Sequence, residues 1–192
     1  VEFVNEGHLG GYIAGGDPAT IFPDMWTWLV KEHGVKSVLD IGCGEGHSLK
    51  FFRELGCRVM GIEGLPQPDP DIVSIDFAKK GNGQRVWEEA ALYQDWDLAW
   101  MCEFVEHIEE KYISNVVPFL QRAKLILMTH ASPGQAGHHH VNCRDAEYWK
   151  GFMNAAGFVF DEKMTAITRD LAARNKNPYN HYLRSGMTFS RV

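Results

Sequence analysis

Two groups of residues in the 192-residue chain combine types and spacings that could do chemistry. The first begins in Val38-Leu39-Asp40-Ile41-Gly42-Cys43-Gly44-Glu45-Gly46, an apolar run that reaches a carboxylate and then meets glycines at alternate positions. Gly42, Gly44 and Gly46 let the backbone around Cys43 turn tightly and approach a ligand, because glycine accepts the required dihedrals at little cost. A pyrophosphate-binding turn has the spacing G-x-G-x-x-G, whereas this one is G-x-G-x-G with an acid in the preceding strand. That acid repels phosphate and suits a cationic ligand. Further on, Val59-Met60-Gly61-Ile62 ends in Glu63-Gly64, about 20 residues beyond the glycines, where an acid can accept both hydroxyls of a ribose. Charged hydrogen bonds of this kind are worth roughly 1.5–3 kcal/mol each. Val73-Ser74-Ile75 then ends in Asp76-Phe77, a carboxylate for an adenine amino group and a ring for its face.

The second group is Cys102-Glu103-Phe104-Val105-Glu106-His107-Ile108, with His130 and His138-His139-His140 downstream. If residues 103–107 begin a helix, Glu103, Glu106 and His107 fall at i, i+3 and i+4 and share one face. Two carboxylates and an imidazole suit a six-coordinate divalent ion with positions left open for acceptor oxygens, and such an ion lowers the pKa of a hydroxyl. Without metal, His107, His130 or His140 could serve as general base, since an imidazole near its ordinary pKa of about 6.5 accepts a proton at neutral pH. His138 and His139 read as loop residues. Cys102 reads as small-side-chain packing, and Tyr148 and Trp149 as packing residues.

The elements that must hold these groups follow from patterning. Strand-length apolar runs occur at 37–41, 58–62, 72–75, 98–101 and 125–129, most of them separated by helical patterns. Such alternation predicts a parallel α/β sheet covered on both faces. Residues 17–32 predict an N-terminal helix, preceded by a glycine-rich lead that could be a lid or simply flexible. Helices are also expected at 46–55 and 145–156, and strands at 158–165 and 186–192 around a helical, charged insert at 166–175. Asn177-Pro178-Tyr179 reads as a turn before the last strand. At this length one domain is expected, with residues 1–33 as lid and helix, 35–160 as donor-binding core and 161–192 as C-terminal strands and insert. Hydrophobic residues make up 45% of the chain, no apolar tract is long enough to span a bilayer, and no segment has the form of a secretory signal, so a cytoplasmic protein is expected. Four cysteines without a C-x-x-C pair argue for reduced thiols. A formal charge of -6 disfavours long nucleic acid as a partner.

The series Asp40-Ile41-Gly42-Cys43-Gly44-Glu45-Gly46, Glu63 and Asp76 resembles the class I S-adenosylmethionine-dependent methyltransferase superfamily over about residues 35–160. The resemblance implies a Rossmann-like, seven-stranded, mostly parallel sheet with helices on both faces and the last strand antiparallel. It also implies S-adenosylmethionine as donor, S-adenosylhomocysteine as product, and chemistry placed after the fourth strand, where Glu103 would face donor and acceptor. The E-x-x-E-H string of Glu103, Glu106 and His107 is similar to the one that metal-dependent O-methyltransferases of ubiquinone synthesis and of small-RNA 3'-terminal ribose use for magnesium. Those RNA enzymes add a further histidine beyond the fifth strand, for which His140 is the candidate. The expected reaction is methylation of a hydroxyl on a small molecule or sugar, with or without Mg2+ or another divalent ion. The alternatives are an RNA 3'-terminal ribose methyltransferase, a catalytically silent donor-binding module and, more remotely, a nicotinamide dehydrogenase.

Overall fold

A computed structural model describes residues 2–4, 7–78 and 94–192. In chain order the hairpin β1 (Phe3–Val4) and β2 (Tyr12–Ile13) precedes α1 (Pro23–Lys31), β3 (Ser37–Ile41), α2 (His47–Glu54), β4 (Arg58–Glu63), β5 (Ile72–Ser74) and β6 (Trp96–Met101). There follow α3 (Val117–Leu120), β7 (Ala123–Met128), α4 (Ala146–Ala155), β8 (Phe158–Phe160), α5 (Glu162–Ala172), α6 (His181–Ser185) and β9 (Met187–Arg191). Seven of these strands form one sheet in the order β5-β4-β3-β6-β7-β9-β8. β3 to β7 pair in parallel, and β9 inserts antiparallel between β7 and β8. The expected seven-stranded sheet is therefore present.

The strands form where they do because both faces of the sheet are buried. Every residue of β3 is buried, and along β6 Leu98 and Trp100 enter one core while Ala99 and Met101 enter the other. β7 divides in the same way, Leu125 and Leu127 against Ile126 and Met128. A strand apolar on both sides can only be a central strand of a covered sheet. One core takes Met25 and Leu29 of α1, Leu49 and Phe52 of α2 and Leu171 of α5; the other takes Phe119 of α3 and Trp149 and Met153 of α4. Among the described residues no helix is long and apolar enough to cross a membrane.

Two expectations about helix boundaries are corrected. The helix expected from residue 17 begins at Pro23; Pro18–Thr20 is a separate 3-10 turn capped by Asp17, whose carboxylate accepts the Ala19 N–H. Proline at 23 starts a helix readily but keeps the preceding residue out of the helical region, and Phe22 is accordingly at φ -128°, ψ 65°. The strand expected over 158–165 stops at Phe160 because the Asp161 side chain accepts the Met164 N–H and caps α5, so the helical part of the insert begins at Glu162.

Candidate active site

A cavity of about 290 Å³ lies beyond the carboxyl ends of β3, β4, β5 and β6, the place where open α/β sheets bind ligands. The turn after β3 makes its floor. Gly42 has φ +81°, and a Cβ there would stand 2.5 Å from the Phe104 ring, so only glycine fits against the segment that follows β6. Gly46, at φ +78°, is the N-cap of α2 and does not line the cavity, so its contribution is to start the helix.

Asp40, Gly42, Cys43, Gly44, Glu63, Gly64, Asp76 and Phe77 all line this cavity, brought there by three adjacent parallel strands. Asp40 is 3% exposed and accepts the Ser48 hydroxyl from the first turn of α2. Burial raises its carboxyl to about 7, with the Ser48 bond opposing. Glu63 accepts the Gly44 N–H at 2.9 Å through one oxygen, and the Gly64 and Leu65 N–H groups at 2.9 and 3.3 Å through the other. It thus ties the glycine turn to the end of β4. Burial still moves its pKa upward, against those three bonds. Asp76 accepts the Ala78 N–H at 2.9 Å, and its second oxygen is 2.7 Å from His8 Nε2.

The opposite wall is less regular. The α-helical face expected for Glu103, Glu106 and His107 does not form. Glu103 is in the left-handed region at φ +55°, and Val105–His107 is a 3-10 turn, which spaces side chains differently from an α-helix. Glu103, Glu106 and His140 instead bring ligand atoms within 4.8 Å of one another, while His107 stands beside them with its ring 5.3 Å from that of His140. His140 arrives from the loop after β7, which is fastened by Val141 and Asn142 N–H groups donating to the Glu106 carbonyl at 2.9 and 3.1 Å. Glu106 itself does not line the cavity. It is fully buried, and neither carboxyl oxygen meets a hydrogen-bond partner among the described residues. Burial first and the neighbouring Glu103 charge second push its carboxyl well above the ordinary range.

His107 is held neutral, its pKa lowered to about 4 by burial and then by His140. Its Nδ1 lies 3.3 Å from the His139 carbonyl, which identifies Nδ1 as the N–H and leaves Nε2 with its lone pair. That basicity is far below the near-neutral value expected from an unperturbed imidazole. His130 does not reach the cavity; its N–H donates to Ser185 Oγ at 3.2 Å, and burial lowers its ring pKa. His138 does line the cavity and His139 does not.

Several lining residues were not among those the sequence singles out for the site. His8, Tyr12 and Asp17 come from the N-terminal lead, and His181 from the start of α6. His181 lies between two carboxylates, Nδ1 3.0 Å from Glu103 and Nε2 3.3 Å from Asp17. Burial opposes charging the ring, but the two acids outweigh it and raise the pKa to about 9, while Glu103 is drawn downward in turn. No periodicity or spacing links residue 181 to residues 17 and 103, so only the folded chain could reveal the group.

Solved structures share this architecture. The magnesium protoporphyrin IX methyltransferase of Synechocystis PCC 6803 with bound SAM superposes with a TM-score of 0.54 at 13% identity, over 87% of this chain and 76% of that one. A SAM-dependent methyltransferase from Archaeoglobus fulgidus gives 0.54 at 15% identity, over 93% and 96%. The methyltransferase domain of a bacterial Hen1, CtHen1-C, gives 0.51 at 11% identity, over 88% and 97%. At such identities the likeness establishes the fold. No curated protein matches the sequence significantly. The model of one family, described as "Methyltransferase domain", matches residues 29–163, from the last turns of α1 into α5, and the chain belongs to that methyltransferase family.

Proposed function

We propose that this methyltransferase takes the methyl group of S-adenosylmethionine and transfers it to a hydroxyl of a small molecule or sugar. The observation that carries the donor half is the convergence of Asp40, Glu63 and Asp76 on one cavity from three successive strand ends. Asp40 would face the cationic part of the donor, Glu63 the ribose hydroxyls, and Asp76 with Phe77 the adenine. Gly42, Cys43, Gly44 and Gly64 would line its path, with Glu103 at the reacting end. Solved relatives of the same fold carry SAM, or S-adenosylhomocysteine as in a Burkholderia thailandensis 1,6-didemethyltoxoflavin-N1-methyltransferase.

Transfer from a sulfonium is an in-line displacement with a good leaving group, so holding the acceptor oxygen in line can supply effective molarities of order 10⁵–10⁸ M. The acceptor proton must also leave. His107 is neutral but weakly basic, so it fits a ligand or orienting role better than that of a free base. Glu103, Glu106 and His140 fit a divalent ion such as Mg2+, with His107 beside them, because the fully buried Glu106 carboxyl meets no hydrogen-bond partner among the described residues and a carboxyl is rarely buried without one. Such an ion would lower the pKa of a hydroxyl at this wall. The chain's own part is to hold the acceptor between the Glu103 wall and the loop carrying His138 and His140, and to exclude water with the N-terminal segment.

A terminal ribose of RNA is the second acceptor reading, favoured by the same Glu103, Glu106 and His140 cluster and opposed by the charge of -6. The deciding experiment is labelled-methyl transfer to hydroxylated metabolites, sugars and a short RNA, with and without chelator. Transfer to small hydroxyls that stops with chelator is expected. Transfer to RNA alone would favour the second reading. Tight S-adenosylhomocysteine binding with no transfer to any acceptor would overturn both and indicate a silent binding module.

A further inference from the structure

His181 is a well-anchored residue that neither half of the proposed reaction uses. The neighbouring Tyr182 is fully buried, stacks on Trp100 at a centroid distance of 5.5 Å, and has its hydroxyl 3.2 Å from those of Thr168 and Thr188. Asn180 accepts the Leu183 N–H as the cap of α6 and donates to the Ala172 and Asn175 carbonyls at 2.7 and 3.0 Å. The start of α6 is therefore secured without any help from the side chain of residue 181. That side chain, only 19% exposed, turns toward the cavity and touches two parts of the chain that are remote in sequence.

On one side stands Glu103. Its first oxygen accepts the Thr129 hydroxyl at 3.0 Å, its second meets His181 Nδ1, and its own N–H donates to Thr129 Oγ1 at 2.7 Å. On the other side stands Asp17, which caps the 3-10 turn at the end of the N-terminal segment. Leu9, Tyr12, Gly16 and Thr20 of that segment line the cavity. Further along it, Tyr12 accepts a bond from Gln67 at 2.9 Å and the Gly15 N–H donates to Glu45 at 3.1 Å. One ring of residue 181 thus lies within ion-pair distance of both carboxylates, Nδ1 toward Glu103 and Nε2 toward Asp17.

We propose that His181 is a positioning residue for methyl transfer, one ring nitrogen fixing Glu103 at the reacting wall and the other fastening the N-terminal segment over the donor, so that cover and wall are set together. The proposal rests on the reading of the cavity as a donor site. It makes the N-terminal lead a fastened strap and gives residue 181 a role separable into two arms.

Two isosteres separate those arms. An asparagine amide nitrogen falls near the position of Nδ1, and a glutamine amide nitrogen near that of Nε2. His181→Asn keeps the Glu103 arm: kcat in the acceptor panel is expected within about twofold of wild type, with S-adenosylhomocysteine Kd and donor KM raised about fivefold and faster amide exchange over residues 8–20. His181→Gln keeps the strap: Kd and exchange stay near wild type while kcat falls about tenfold. His181→Phe loses both. If Asn and Gln are indistinguishable from Phe, or if all three match wild type in Kd and exchange whatever their melting temperatures, the proposal is overturned. Should Phe not fold, the Asn and Gln pair decides alone. Wild-type protein that does not bind S-adenosylhomocysteine would instead sink the donor reading itself.

Discussion

The two walls of the cavity satisfy their acids in opposite ways. On the wall made by β3, β4 and β5, each carboxylate has a partner a short distance away in the chain or on the next strand end: Asp40 with Ser48, Glu63 with Gly44, Gly64 and Leu65, and Asp76 with Ala78. On the wall made by the segments after β6 and β7, Glu103 depends on Thr129 and His181, while the carboxyl oxygens of Glu106 meet no hydrogen-bond partner among the described residues. Backbone N–H groups presented by tight turns are fixed by local geometry and cost little to aim. A wall assembled from side chains on separate loops is ordered only when each loop is itself fastened, as the Glu106 carbonyl fastens the loop that carries His140. The first wall thus suits the one donor of fixed shape proposed for it. The second can be altered without dismantling the sheet, which suits the proposed acceptor side.

Predictions that sharpen this contrast begin on the donor wall. Glu63→Ala removes the acceptor for three N–H groups as well as the proposed ribose acid. Loss of charged hydrogen bonds worth roughly 1.5–3 kcal/mol each should weaken S-adenosylhomocysteine binding by about a hundredfold in calorimetry. An unchanged affinity would remove the donor wall as described.

On the other wall, a divalent ion at about 100 times its Kd should stabilise the wild type by roughly 2.7 kcal/mol, seen as a rise in melting temperature. Glu106→Gln and His140→Ala should abolish the rise while leaving S-adenosylhomocysteine affinity within about twofold. A rise that persists in both variants would place the ion elsewhere.

A pH-dependent effect concerns Asp40. Its folded-state pKa of about 7 lies above the ordinary 3.8, so the folded protein holds a proton that the unfolded chain has released across that window. The stability it contributes is complete below about pH 4 and is lost as pH rises through 7, with a slope of up to about 1.4 kcal/mol per pH unit. Asp40→Asn should flatten that part of the stability profile. Because a cationic ligand favours the ionised acid, binding of S-adenosylmethionine near pH 6 should release up to about one proton, measured as a dependence of binding enthalpy on the buffer. Binding without proton release would mean that the cation does not approach Asp40.

The smallest change is expected from His8→Ala. The His8 side chain is 51% exposed where it meets Asp76, and an exposed pair contributes at most about 1 kcal/mol. Donor affinity should fall less than about fivefold by calorimetry, and a larger loss would make the N-terminal segment part of the donor wall rather than its cover.

The sequence by itself determined the sheet and named the residues proposed for its donor wall. Strands apolar on both faces must be central, glycines at alternate positions after an acid must turn tightly, and the next strand ends supply Glu63 and Asp76, so local chemistry and period were enough to name those residues. Boundaries depended on single residues that the pattern passed over, Pro23 and Asp161, which start α1 and α5 through proline geometry and side-chain capping. The acceptor wall was only half legible. Glu103, Glu106 and His140 were recognisable as a set, but the α-helix expected to align Glu103, Glu106 and His107 is replaced by a positive φ at Glu103 and a 3-10 turn, and burial takes His107 out of the basic range. The union of Asp17, Glu103 and His181 could come only from the tertiary structure. It joins three remote points of the chain, and no local periodicity encodes the approach of an N-terminal turn, a loop after β6 and the first residue of α6.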